Sequence, residues 1–175
     1  MNDFSWAPWL SRRKHPNQDL FDLLEKLPLF DTFNPKELHK FMQLIYRRQY
    51  TSGETIFKER EPGVGMYIIL TGAVRIILPS ESEDIQLAYL GPGHFFGELA
   101  LFSEGPRSAT AVADEDTELA GIYRPDFIEY SQQNPLIGNR LLFHLANIIC
   151  EKLRRTNREY RLIKYQVQKQ NPAAA

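Results

Sequence analysis

The chain has 175 residues, 43% hydrophobic and 25% charged, with a formal net charge of -1. That describes one globular domain with appendages and a core of useful size, and it excludes a wholly basic surface built for nucleic acid. A single cysteine, Cys150, allows no internal disulfide, and no apolar run reaches the roughly 20 residues that span a bilayer. The cytoplasm is therefore the expected location.

Residues 1–18 hold Trp6, Trp9 and Leu10 without a continuous apolar stretch, and read as an N-terminal arm rather than a signal peptide. From Asp19 a short helix is predicted, with Leu20, Leu23, Leu24 and Leu27 on one side and Pro28 ending it. Asn34 reads as the N-cap of a second helix, with Pro35 first and Glu37 third in its opening turn. Leu38, Phe41, Met42 and Ile45 continue it at helical spacing.

After Tyr50 the period changes to short β-rich runs between turn residues. Strands are predicted at Thr55–Phe57, Met66–Leu70, Val74–Leu78, Ile85–Leu90, Ala109–Val112 and Glu118–Tyr123. Many short strands with regular turns indicate a sandwich or barrel. Arg124-Pro125-Asp126 then opens a helix, which Asn134-Pro135 breaks to start a long one. Residues 19–134 thus form a β-barrel with flanking helices, 135–170 a long C-terminal helix and 171–175 a tail.

On that last helix, Leu141, Leu145 and Ile148 share a face suited to covering the barrel. Leu142, Ala146, Ile149, Leu153, Thr156, Tyr160, Ile163 and Val167 follow an alternating four-three spacing, the seam of a two-stranded coiled coil. In a parallel pair Glu159 stands at a g position facing Lys164 at the following e position. A homodimer through this helix is expected. Cys150 falls beside the seam and reads as a free buried thiol.

The most informative run is Gly93-His94-Phe95-Phe96-Gly97-Glu98-Leu99-Ala100-Leu101-Phe102-Ser103-Glu104-Gly105-Pro106-Arg107-Ser108-Ala109-Thr110-Ala111. Gly97 lets backbone approach a ligand closely. A short helix starting near Glu98 offers free N–H groups to an anion. Arg107 supplies a planar fork that matches a phosphate, and Glu98 accepts hydrogen bonds from a sugar hydroxyl. A ligand with both phosphate and hydroxyl groups satisfies both.

This segment resembles the phosphate-binding cassette of the cyclic-nucleotide-binding domain family. Supporting motifs are Gly53-Glu54-Thr55-Ile56-Phe57, Tyr67-Ile68-Ile69-Leu70-Thr71-Gly72-Ala73-Val74 and Asp116-Thr117-Glu118-Leu119, and the likeness covers roughly residues 24–155. The resemblance implies a mainly β fold, a jelly-roll barrel with N-terminal helices and a long C-terminal dimerisation helix. It implies that Glu98 holds the ribose 2′-hydroxyl, and that Arg107 with the N–H groups of Leu99, Ala100 and Ser108 holds the cyclic phosphate. Phe96, Gly97 and Ala109 complete the ligand set. The ligand is expected to be cAMP, or cGMP, and no cofactor is expected.

Three departures stand out. Arg60 occupies a turn where the family often has glycine. His94 stands where aspartate is common, and reads as a turn residue. Lys152 and Leu153 fall where the catabolite activator branch has hydroxylated base contacts, which leaves Arg155, Thr156 and Tyr160 as candidates for a base cap. Few residues follow Gln168, so a helix-turn-helix, and with it direct DNA binding by this chain, is not expected. The alternative is a degenerate domain, with Glu98 and Arg107 merely paired, that serves as a dimerisation or protein-interaction module. The histidines His15, His39, His94 and His144 are scattered and form no metal cluster, so neither an enzyme nor a metal site is expected. The effector protein remains open, and no membrane association is expected.

Overall fold

In a computed structural model of the chain, residues 16–170 are described. The predicted arm, His15 and the 171–175 tail lie outside them, apart from residues 16–18, which open the first helix.

Helix α1 spans Pro16–Leu24, starting earlier than predicted because Pro16 suits a first helical turn. It ends short of Pro28, which instead opens a 3-10 turn, Pro28–Phe30, that buries Leu29 and Phe30. Helix α2, Pro35–Phe41, begins on the predicted cap: Asn34 Oδ1 accepts from the Glu37 N–H at 3.0 Å, and the Glu37 carboxylate accepts from the Asn34 N–H at 2.9 Å. Glu37 also pairs with Arg140 at 2.6 Å, tying α2 to the C-terminal helix.

Eight strands form two four-stranded antiparallel sheets. They are β1 (Ile45–Tyr50), β2 (Thr55–Phe57), β3 (Gly65–Thr71), β4 (Val74–Leu78), β5 (Ile85–Leu90), β6 (Phe95–Phe96), β7 (Thr110–Ala113) and β8 (Thr117–Tyr123). One sheet has the order β1-β8-β3-β6 and the other β2-β7-β4-β5. This is the expected jelly roll. Strands β1 and β6 were not predicted. Ile45, read as the end of a helical stripe, instead pairs with Ile122 and starts β1.

Strand β3 shows why the core has two compartments. Its residues alternate in direction: Met66 and Ile68 join Ala120 and Ile122 of β8 against the helices, while Tyr67 and Ile69 meet Val74, Phe96, Ala111 and Leu119 between the sheets. Both faces are buried, so the strand reads as a continuous apolar run.

The cassette folds into a short helix α3, Leu99–Phe102, between β6 and β7. Helices α4 (Arg124–Gln133) and α5 (Pro135–Gln170) follow. Leu141 and Leu145 of α5 are fully buried and Ile148 is half-buried against the helical compartment, as their spacing implied. Beyond Lys152, every described side chain of α5 is exposed. Cys150 is exposed as well, against the buried thiol expected, because it points away from the face that covers the barrel.

Candidate functional site

A cavity of about 860 Å³ opens between the cassette, β2, β4, β5 and α5. All eight predicted ligand residues line it: Phe96, Gly97, Glu98, Leu99, Ala100, Arg107, Ser108 and Ala109. Two of them are buried charges, Glu98 at 7% exposure and Arg107 at 6%. A buried charge is costly unless it is satisfied, and Arg107 keeps a buried Nε without a partner, so its place on this cavity points to an anionic ligand.

Arg107 is held in place from several directions. Its backbone N–H donates to the Glu61 carbonyl at 2.8 Å, and its carbonyl accepts from the Arg60 N–H at 2.9 Å. Gly63 N–H to Gly105 carbonyl, 3.0 Å, extends that zipper. The guanidinium lies 4.0 Å from the Phe57 ring centroid and donates through Nη1 to the Gly97 carbonyl at 3.1 Å. Phe57, Tyr67 and Phe96 pack together as its aromatic floor. Its Nε is buried without a partner. Burial lowers the Arg107 pKa, with Tyr67, Glu61 and Glu98 opposing that shift; the same burial pushes the Tyr67 phenol up to about 12. In this water-poor setting an anion gains more from Arg107 than it does at the surface.

Gly97 is required where it stands. Its φ is +71°, and a Cβ there would lie 2.6 Å from Arg107 Nη1. The Ala100 N–H closes the turn onto the Gly97 carbonyl at 3.2 Å.

Glu98 and Arg107 are not paired with each other. The Glu98 carboxylate accepts from Lys152 Nζ of α5 at 2.7 Å, and that ammonium sits 5.1 Å from the Phe95 ring centroid. Lys152 lacks the hydroxyl expected of a base contact, yet its ammonium lines the cavity. Arg155 and Thr156 line the cavity, as expected of cap residues, but Tyr160 does not. Residues 148, 152, 155, 156 and 159 share one helical face at i, i+4, i+7, i+8 and i+11 spacing, and residue 160 is turned about 100° from 159. Glu159 takes the place expected for Tyr160, 3.6 Å from Arg155. His94 lines the cavity but is a turn residue, its Nδ1 3.1 Å from the Gly91 carbonyl. Arg60 does adopt the left-handed backbone of a glycine turn, with φ +67°.

The family model described as "Cyclic nucleotide-binding domain" matches residues 47–134. The cyclic AMP receptor protein of Thermus thermophilus is 35% identical over 140 residues, 79% of this chain and 63% of that protein. A cAMP-dependent protein kinase regulatory subunit from Colletotrichum orbiculare is 35% identical over 106 residues, 61% of this chain and 27% of that protein. The chain thus spans less than two thirds of these curated relatives. Among solved structures, the Thermus thermophilus catabolite activator protein aligns with a TM-score of 0.71 at 34% identity, covering 79% of this chain and 63% of that one. The N-terminal domain of a Streptomyces coelicolor transcriptional regulator aligns with a TM-score of 0.67 at 28% identity, covering 78% and 95%.

Proposed function

We propose that this chain, which belongs to the cyclic nucleotide-binding domain family, is a regulatory sensor whose ligand is a cyclic purine mononucleotide, cAMP in preference to cGMP. The cyclic phosphate lies on Arg107 and the neighbouring cassette N–H groups, and the ribose 2′-hydroxyl donates to Glu98. One observation carries this reading: Arg107, buried and stacked on Phe57 with an orphaned Nε, faces the same cavity as the buried Glu98 carboxylate. Two of its relatives are a cyclic AMP receptor protein and a cAMP-dependent protein kinase regulatory subunit, which favours cAMP and a regulatory rather than enzymatic role. No described helix is long and apolar enough to cross a membrane, and we place the sensor in the cytoplasm.

The output runs through α5, which lines the cavity with Lys152, Arg155 and Thr156 and then projects beyond the barrel. We propose that this projection pairs with a second copy. We place the seam on a neighbouring face of the helix from the predicted one, because Leu142 and Ile149 are half-buried on their own domain, while Phe143 is 71% and Leu153 58% exposed. Phe143, Ala146, Cys150, Leu153, Asn157 and Tyr160 continue the three-four alternation on the open side. Asn157 then falls at a core position, where asparagine sets register in two-stranded coiled coils.

Calorimetric titration with cAMP, cGMP and a cyclic dinucleotide tests the assignment. Tight binding of cAMP supports it; a flat trace with all three supports the degenerate, interaction-only reading.

A further inference from the structure

Charge is divided unevenly along the chain. Residues 151–169 hold seven Lys and Arg against two Asp and Glu, while the rest of the chain holds fourteen against twenty. The cations of α5 differ in what they meet. Lys152 reaches Glu98 at 2.7 Å, and Arg155 lies 3.6 Å from Glu159. Arg154, Arg158 and Arg161 are exposed and form no ion pair with any other described residue. Their i, i+4, i+7 spacing puts them on one stripe of the helix, about 10 Å long, which the exposed Tyr165 extends. None of the three lines the nucleotide cavity. Arg154 and Arg158 instead edge a neighbouring hollow of about 530 Å³. The second copy proposed above does not neutralise the stripe. With Ala146, Leu153 and Tyr160 at d positions, Arg154 and Arg161 stand at e positions, and the g positions they face hold Ile149 and Thr156, neither of them acidic.

We propose that this stripe docks an acidic helix of the effector protein, one that carries carboxylates at i, i+4 and i+7. Like charges at this spacing repel one another along the helix that bears them, and a facing row of carboxylates relieves that repulsion. A guanidinium fork meets a carboxylate through two parallel hydrogen bonds. Carboxylates at the same spacing on a second helix recur at the same rise as the arginines, so the two rows stay in step. Leu162 and Tyr165, both exposed, supply apolar contact at one end of the stripe. Two other anionic surfaces fit less well. A nucleic-acid duplex or a bilayer extends past the stripe and meets a body in which acidic residues outnumber basic ones. A bilayer also calls for a broad apolar face to insert beside the cations, and the face of Leu153 and Tyr160 is the one proposed to meet the second copy. The inference rests on the reading of α5 as the output helix and adds the chemistry of what that helix meets.

The test is fluorescence anisotropy of a labelled, alanine-based helical peptide with glutamates at i, i+4 and i+7, titrated with the full chain at low salt. A peptide of the same composition with its glutamates spread around the helix is the spacing control. The matched peptide is expected to bind more tightly than the control. Arg154→Gln/Arg158→Gln/Arg161→Gln is expected to weaken its binding about tenfold, the combined effect of three exposed ion pairs. Lys26→Gln/Lys36→Gln/Lys58→Gln, which removes the same charge from exposed positions elsewhere, is expected to leave it nearly unchanged. Arg158→Gln alone, away from the e positions, is expected to weaken it about twofold, and guards against a loss that comes from disturbed pairing. No binding of the matched peptide, equal binding of the control peptide, or an equal loss in the two triple variants overturns the proposal. A DNA duplex or phosphatidylserine vesicles binding more tightly than the peptide, and losing that binding in the arginine triple variant, also overturns it, by giving the stripe to phosphate. Calorimetry with cAMP separates this inference from the functional reading. The arginine triple variant is expected to bind cAMP as the wild type does. A chain that binds cAMP but not the peptide sinks this inference alone; one that binds the peptide but no cyclic nucleotide sinks the sensor reading alone.

Discussion

At the scale of single residues, the cassette depends on positions whose roles differ physically. In the proposed site Arg107 supplies direct charge-assisted hydrogen bonds to the phosphate, each worth about 1.5–3 kcal/mol. Arg107→Ala should weaken cAMP binding at least roughly tenfold in calorimetry, and unchanged binding would remove the cassette from the site. Gly97 acts through space and backbone: Gly97→Ala would combine a left-handed φ with a Cβ 2.6 Å from Arg107 Nη1, so it should weaken binding although no ligand contact is deleted. Arg60 is the converse case. It holds φ +67°, and its N–H donates to the Arg107 carbonyl. A non-glycine residue there costs about 1–2 kcal/mol, against which glycine adds about 0.5–1 kcal/mol of unfolded-chain entropy. Arg60→Gly should therefore raise the unfolding free energy by roughly 0.5–1 kcal/mol, measured by urea denaturation, with the bond to Arg107 retained.

At the scale of elements, what was legible in the sequence follows from whether an element carries its own signal. The α2 start was legible because Asn34, Pro35 and Glu37 build the cap locally. Strands β2, β4 and β5 were bounded by glycine, proline and polar turns. Strand β1 was not legible: Tyr46, Arg47, Arg48 and Gln49 are exposed, and the strand exists through its pairing with β8, including the Arg47–Glu118 ion pair at 2.7 Å. Strand β6 has two residues, too few for a period to show. The cassette residues were legible because one contiguous run carries them, whereas the α5 contribution depended on how the helix is rotated about its axis. That rotation placed Lys152 and Glu159 on the cavity and turned Tyr160 away. It also sets which face of α5 is open to the proposed pairing. Leu153→Glu sets a charge in the middle of the open face and should leave the chain monomeric in light scattering; a wild-type chain that is already monomeric at high concentration, with ligand present, rules out the pairing.

At the scale of the whole molecule, the cavity wall includes Phe57 of β2, the cassette at residues 93–109, and α5 at residues 148–159. These segments are far apart in sequence, so a ligand touching all three links the barrel to the helix that leaves it. Two consequences follow. The native state alone presents this constellation, so a ligand at about 100 times its Kd adds roughly 2.7 kcal/mol of stability. For a chain of this size each kcal/mol raises Tm by about 2–4 °C, so saturating cAMP should raise Tm by roughly 5–11 °C in the wild type and far less in Arg107→Ala at the same concentration. The second consequence is local. Residues 153–166 of α5 are exposed and draw little burial energy from their own domain, which places them at the low-stability end of the molecule, where amides open without global unfolding. A ligand held by Arg107 alone would protect the cassette and leave α5 exchanging as before. A ligand that also engages α5 should slow hydrogen exchange across residues 148–159, and Lys152→Met should abolish that protection while retaining it in the cassette. Equal protection of α5 in both proteins would mean that helix and pocket communicate by another route.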